Sequence, residues 1–289
     1  MKKTIIIITI FILIISSFLL YSRYISTTGL KVKEYSIKNK LITSSYHGLK
    51  IVHITDIHYG RTVGLKELKN LVNKINFLKP DIVVLTGDLL DRDTKPTPEM
   101  VDNLVDILNE IEVTTNKYAI EGNHDMVYDN WDSIIENSGF INLNDSYDLI
   151  YYDDYTPIFI GGMSQNTKSN FKVVDKLNPL YQYLDDYSEN PNEYENLYKI
   201  LLMHEPDFID EVNLSYFNLV LAGHSHNGQV RLPLIGAMIL PPNAKKYYNE
   251  YYKIGDTDFY ISSGVGVSTI NFRFFNKPAI NFYRLITEK

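Results

Sequence analysis

Short, unbroken apolar runs alternate along the chain with segments whose apolar positions recur every three or four residues. The runs are "LKIVHITD" (49–56), "DIVVLTGD" (81–88), "KYAIEG" (117–122), "PIFIGG" (157–162), "YKILLMH" (198–204), "FNLVLAG" (217–223), "DFYISSG" (258–264) and "AINFYRLI" (279–286). Most carry four to six apolar residues without alternation, as strands covered on both faces do. Between them, "LKELKNLVNKINFL" (65–78) puts Leu65, Leu68, Leu71, Val72, Ile75 and Leu78 at helical spacing. "TPEMVDNLVDILNEI" (97–111) opens on Thr97 as an N-cap before Pro98. The alternation predicts an α/β fold with amphipathic helices as covers. "KLNPLYQYLDDYSENPNEYEN" (176–196), acidic and rich in Tyr and Asn, is too polar for core and is expected to be a solvated loop, with a lid as the alternative.

The N-terminus breaks this pattern. "MKKTIIIITIFILIISSFLLYSR" has no charge between Lys3 and Arg23, and its 19 intervening residues would span about 28 Å as a helix, close to a bilayer core. A cleaved signal peptide would have a shorter apolar region ending in small residues, whereas this one ends "FLLYSRY", so it reads as a membrane anchor. The expected organisation is an anchor over 1–23, a linker and first domain segment over 24–45, and one catalytic domain over 46–289. Basic residues on both sides leave the charge rule undecided, but the short basic head favours an extracytoplasmic domain. The absence of cysteine fits that placement.

Charge removes one class of partner. Outside Lys2, Lys3 and Arg23, the remaining 25 of 28 basic residues face 35 acidic ones, so no nucleic-acid partner is expected. Composition does not set an oligomeric state.

Candidate chemistry gathers where the strands end. Asp56, Asp88, Asn123, His204 and His224 each follow an apolar run, and the carboxyl ends of strands are where open α/β sheets hold ligands. Asp56 and His58, at i and i+2, would point to one side of an extended segment, as would His224 and His226. Taken singly, "GD" is an ordinary turn and a lone histidine is more often structural. Together, the seven side chains Asp56, His58, Asp88, Asn123, His204, His224 and His226 exceed what one small divalent ion takes, and they suit two ions sharing a carboxylate.

In order, "DIH", "GDLLD", "GNHD", "MHEP" and "GHSHNGQ" resemble the signature motifs of the calcineurin-like metallophosphoesterases over about residues 49 to 230. The closing "SSGVGVSTINFRFFNKPAINFYRL" resembles the bacterial, often membrane-anchored subgroup, which shows Gly-x-Gly, then Arg, then Pro-Glu-Ile; here Ala279 replaces the glutamate. Ser225 and Asn227 replace the usual threonine and glycine, and asparagine tolerates left-handed geometry. The resemblance implies a sandwich of two mixed β-sheets flanked by helices. It also implies that Asp56, His58 and His226 bind one metal and Asn123, His204 and His224 the other, with Asp88 bridging. His124 would stay off the metals to bind phosphate or protonate the leaving oxygen, with Asp91 and Asp125 orienting ligands or His124. His47 and His53 match no motif and are expected to be structural.

Two such ions can activate a bridging water for in-line attack and offset charge on both oxygens, and the mixed carboxylate and imidazole set suits Mn, Fe or Zn. The expected activity is a membrane-tethered phosphodiesterase or pyrophosphatase acting on lipid-linked or envelope phosphate esters. A protein serine/threonine phosphatase is the second reading; Arg92 stands where those enzymes carry a phosphate-binding arginine, but an isolated arginine is expected to be a surface residue. A catalytically inactive metal-binding envelope protein is the third, and it would require lost ligands.

Overall fold

The computed structural model describes residues 2–152, 155–165, 172–188 and 197–288. In chain order the helices are α1 Lys2–Leu20, α2 Leu65–Leu78, α3 Pro98–Asn109, α4 Trp131–Asn137 and α5 Val173–Tyr187. The strands are β1 Lys31–Asn39, β2 Lys50–Ile54, β3 Ile82–Thr86, β4 Lys117–Ile120, β5 Ile141–Asn142, β6 Ser146–Ile150 and β7 Ile158–Gly162, then β8 Tyr198–Leu202, β9 Leu219–Ala222, β10 Arg231–Leu232, β11 Gly236–Ala237, β12 Tyr251–Ile254, β13 Thr257–Ile261 and β14 Ala279–Thr287.

Two six-stranded mixed sheets form, in the orders β1-β14-β2-β3-β4-β5 and β12-β13-β9-β8-β7-β6. Within them β2 to β5 run parallel, as do β7, β8, β9 and β13. The unbroken apolar runs are explained by the layering. In β2, Ile51 faces the core between the sheets while Val52 and Ile54 face the helical cover, so both sides must be apolar. Helices α2, α3 and α4 cover the first sheet through Leu68, Leu71, Leu104, Leu108 and Trp131, and α5 covers the second through Leu177, Leu180 and Leu184.

Every expected strand is present; all but β14 are shorter than their apolar runs, and β14 extends one residue further, to Thr287. Left-handed backbone at Asp56 and Asp88 stops β2 and β3 before those residues, since an extended strand cannot continue through φ of 50° and 55°. Helix α2 matches its expected bounds, and Thr97 caps α3 by accepting from Met100 N at 3.2 Å.

Two expectations change. Residues 173–187 form a helix rather than a loop, because Val173, Leu177, Leu180 and Leu184 recur at helical spacing and are buried against the second sheet. Pro179 and the polar outer face hid that stripe; residues 189–196 of the expected loop lie outside the described residues. The polar stretch after α1 holds β1, an edge strand paired in parallel with β14. An edge strand buries one side only, and Ile37 alone in β1 is fully buried, so its charged residues concealed it.

Helix α1 is the one described helix long and apolar enough to cross a membrane. A π-helical turn, Tyr21–Ile25, joins it to the domain, where Ser22 and Ser26 are buried and Ser22 O accepts from Arg273 N at 3.0 Å.

His53 is structural, as expected. It faces the core between the sheets with Nε2 2.7 Å from Thr86 Oγ1, and burial pushes its pKa down to about 3. The unfolded chain takes up this proton near pH 6.5, so the stability contributed by the neutral ring is complete above that pH. It is lost towards pH 3 at about 1.4 kcal/mol per pH unit. In denaturant unfolding between pH 7 and 4, the stability lead of wild type over His53→Gln should therefore shrink by about that slope. A lead independent of pH would show that the ring is not held neutral.

Candidate functional site

The loops after β2, β3, β4, β8 and β9 meet at the strand carboxyl ends, and an unusual backbone lets them do so. Asp56, His58, Asp88, His224 and His226 all have positive φ, between 46° and 62°. Such geometry disfavours a residue with a Cβ by about 1–2 kcal/mol each, and it gathers at sites where side-chain aim matters more than local comfort. The pairs expected to converge from extended segments therefore turn in through left-handed bends instead. Asn227, at φ 47°, uses the tolerance expected of it.

Backbone ladders hold these bends. Asp56 N donates to Gly87 O and His58 N to Asp88 O, each at 3.0 Å. Asp125 accepts from Leu90 N and Gly122 N, both at 3.0 Å, and so braces the two loops that carry Asp88 and Asn123. Gly223 is required by contact: a Cβ there would lie 2.1 Å from Thr55 Oγ1 and 2.6 Å from Asp56 Oδ2.

All seven expected ligands and His124 come together. Asp56, His58 and His226 have donor atoms within 4.8 Å of one another, and so do Asp88, His204 and His224. His58 Nε2 and His226 Nε2 face each other at 3.1 Å, with Asp56 Oδ1 3.5 Å from the latter. Asn123 Oδ1 joins the second group, 3.1 Å from His204 Nε2. Asp88 Oδ2 sits between the groups, 3.4 Å from His204 Nε2 and 3.7 Å from His58 Nε2.

The outer ring atoms fix which nitrogens face inward. His204 Nδ1 donates to Thr86 O at 2.6 Å and His224 Nε2 to Pro242 O at 2.8 Å. His58 Nδ1 lies 3.4 Å from Asp91 Oδ2. A neutral imidazole has one N–H, so His204 and His224, when neutral, each turn a bare nitrogen to the centre, as ligating histidines do. His226 differs, because a donor, Arg273 Nη2, stands 3.4 Å from its Nδ1. Two carboxylates, one amide oxygen and four imidazoles in two groups, with outer acceptors behind three of the rings, fit two divalent ions.

Electrostatics agree with that fit. Burial, and then the charge of Asp88, push Asp56 up. Burial would also raise Asp88, but His204, His124 and His58 hold it well below the usual carboxylate range. Burial lowers His204, yet Asp88 and Asp56 outweigh it and push the ring up to about 10, whereas burial and His204 push His224 down to about 3. Protons and divalent cations thus compete for the same carboxylate field.

His124 lies beside these groups, with Nδ1 3.4 Å from Asp91 Oδ2 and Nε2 3.2 Å from Arg92 Nε. Arg92 is exposed, as expected, but its guanidinium reaches the site, which an isolated arginine in the sequence could not reveal. Arg273 also escaped notice as a site residue. Its guanidinium, fully buried, donates to Ser263 O, Gly264 O and Gly266 O at 2.7, 3.1 and 2.5 Å, and burial pushes it down to about 9, still charged at neutral pH. The Gly-x-Gly and the later arginine are therefore one clamp behind His226. Asp88, His124, His224 and His226 open onto a cleft of about 640 Å³ with Arg61 and Arg92 at its rim and an apolar wall that includes Val230, Ile239, Leu240 and Ile270.

Residues 49–228 match the calcineurin-like phosphoesterase family. The chain is 31% identical over 271 residues to the uncharacterized metallophosphoesterase YkuE of Bacillus subtilis, covering 92% of this chain and 88% of that one. It is 25% identical over 238 residues to the phosphodiesterase YaeI of Escherichia coli, covering 82% of each. A transmembrane protein with a metallophosphoesterase domain from Danio rerio is 26% identical over 259 residues; the match covers 86% of this chain and 56% of that longer protein.

Displacing Asp56 without removing it tests the first group. Gly223→Ala should leave the circular-dichroism spectrum intact and reduce bound manganese, measured by elemental analysis, from about two ions per chain towards one. Undiminished loading would mean that Asp56 is not a ligand.

Proposed function

The chain belongs to the calcineurin-like phosphoesterase family and is a metal-dependent phosphoester hydrolase, and from that premise we propose a phosphodiesterase or pyrophosphatase tethered to the membrane by α1. Its substrates are lipid-linked or envelope phosphate esters, and its catalytic domain lies outside the cytoplasm. Asp56, His58 and His226 would hold one divalent ion and Asn123, His204 and His224 the other, with Asp88 placed to serve both. The observation that carries this reading is the position of Asp88 Oδ2 between the two donor groups. When bound, manganese, iron or zinc ions there supply Lewis-acid stabilisation of phosphoryl charge and lower the pKa of attacking water.

The chain's own groups do the rest. His124, whose Nδ1 lies 3.2 Å from Arg92 N and 3.4 Å from Asp91 Oδ2, is placed to give an Nε2 proton to the leaving oxygen. The neutral ring left behind accepts from Arg92 Nε, the contact seen at 3.2 Å. Arg92 and Arg61, at the rim, attract the anionic ester into a cleft carried by an acidic protein. The apolar wall suits a leaving group or acyl portion that a small soluble phosphate would lack.

Arg92 also supports the second reading, a phosphatase of phosphoserine or phosphothreonine, since a guanidinium beside the acid suits a dianionic monoester. The full-length chain in detergent with manganese should hydrolyse bis-p-nitrophenyl phosphate, and Asp88→Asn should lower that rate at least about 10²-fold. His124→Asn should keep its metal and lose about 10²–10⁴-fold. Faster turnover of a phosphopeptide than of any diester would favour the phosphatase, and tight metal binding with no turnover of either would favour a non-catalytic envelope protein.

A further inference from the structure

Several large apolar side chains outside α1 are exposed at one place, the hairpin β10–β11 and the segments beside it. Leu234 is fully exposed, and Ile235, Met238, Ile239 and Phe275 are each more than half exposed. Water-facing turns favour Gly, Asn and Asp, yet this tip reads Pro233-Leu234-Ile235, with Leu234 at φ 67°. The patch is continuous with the anchor. Val230 bridges to Phe274, whose ring packs 4.5 Å from Phe18 and 6.0 Å from Tyr21 at the end of the apolar stretch of α1. Beside that junction lies a second cleft, about 760 Å³, lined by Arg23, Arg61, Lys66 and Lys74 with Glu67 as its one acidic residue. Arg61 also lines the active cleft.

We propose that the β10–β11 tip and Phe275 enter the lipid surface beside α1, so that the active cleft opens onto the leaflet, with the basic cleft against anionic headgroups. Apolar tips flanked by basic side chains are how interfacial segments bind bilayers, and a second contact near an anchor needs little affinity of its own. Continuity with α1 and the basic flank point to lipid, not to a second copy or another protein. The inference deepens the proposed function by giving its site an orientation: the apolar wall formed by Ile239 and Leu240 would be met by a substrate still seated in the membrane.

The chain has no cysteine, so one cysteine gives a unique label. In full-length protein reconstituted into nanodiscs of phosphatidylethanolamine and phosphatidylglycerol, a polarity-sensitive fluorophore at Ile235→Cys should be quenched by chain-spin-labelled lipid and shielded from iodide. The same label at Phe77→Cys, on exposed α2, should behave oppositely. Iodide quenching at 235 equal to that at 77 overturns the proposal; so does shielding from iodide without lipid quenching, which would mean that protein covers the tip. Leu234→Glu with Ile235→Glu should lower turnover of a bilayer-embedded phosphodiester about tenfold while bis-p-nitrophenyl phosphate turnover holds. Equal loss on both substrates would count against it. A wild type inactive on the soluble diester would instead sink the phosphoesterase reading, while lipid quenching at 235 would still place the tip in the bilayer.

Discussion

Two carboxylates, Asp56 and Asp88, lie almost wholly buried beside one another, and the architecture around them answers that electrostatic problem. Carboxylates so placed cannot both stay ionised unless positive charge or dense hydrogen bonding meets them. Asp56 takes two backbone contacts from His224 N, at 3.1 and 3.0 Å, and a hydroxyl from Thr55 at 2.9 Å. Asp88 takes His124 N at 2.7 Å. Those bonds leave oxygen lone pairs turned towards imidazole nitrogens that are themselves bare, and a pair of divalent ions is the simplest charge that satisfies both sets. Left-handed bends, close glycine contacts and carbonyl-anchored rings are the local costs of bringing the set together.

This dependence explains why the site was easier to read in the sequence than parts of the fold. Ligands that must sit at strand ends carry their context with them, since an apolar run followed by Asp-x-His or Gly-His-x-His states both the element and its chemistry. The strands covered on both faces were legible for the same reason. Helix α5 and strand β1 were not, because each buries a single stripe and spends its other positions on polar residues. For α5 the stripe of Val173, Leu177, Leu180 and Leu184 was present but interrupted by Pro179. For β1 the decisive fact is its partner, β14, more than 240 residues away along the chain.

Arg92 and Arg273 mark a different limit. Nothing local distinguishes an arginine that reaches His124 from one that faces water. Arg92 gains its meaning from a loop 32 positions away, where His124 lies. Arg273 follows the Gly-x-Gly by a fixed interval that resemblance could note, but only the fold shows its guanidinium spanning the carbonyls of Ser263, Gly264 and Gly266. Asp125, expected from "GNHD" to orient ligands or His124, acts through the backbone: it pins the amides of Leu90 and Gly122 in the loops that carry Asp88 and Asn123, a link the sequence does not show.

Arg273 also joins two parts that the sequence presents as separate. Its backbone N–H binds Ser22 O at the foot of the anchor, its guanidinium stands 3.4 Å from His226 Nδ1, and the next residue packs on Phe18. Three contacts on two consecutive residues leave little slack between α1 and the loop that carries His226. A freely jointed linker would let the domain tumble beneath the membrane and present its cleft at every angle. The junction here is short and packed. With α1 in a bilayer, as proposed, such a junction would restrict the orientation of the site as well as its distance from the membrane, and orientation would be the more valuable constraint for a membrane-seated ester.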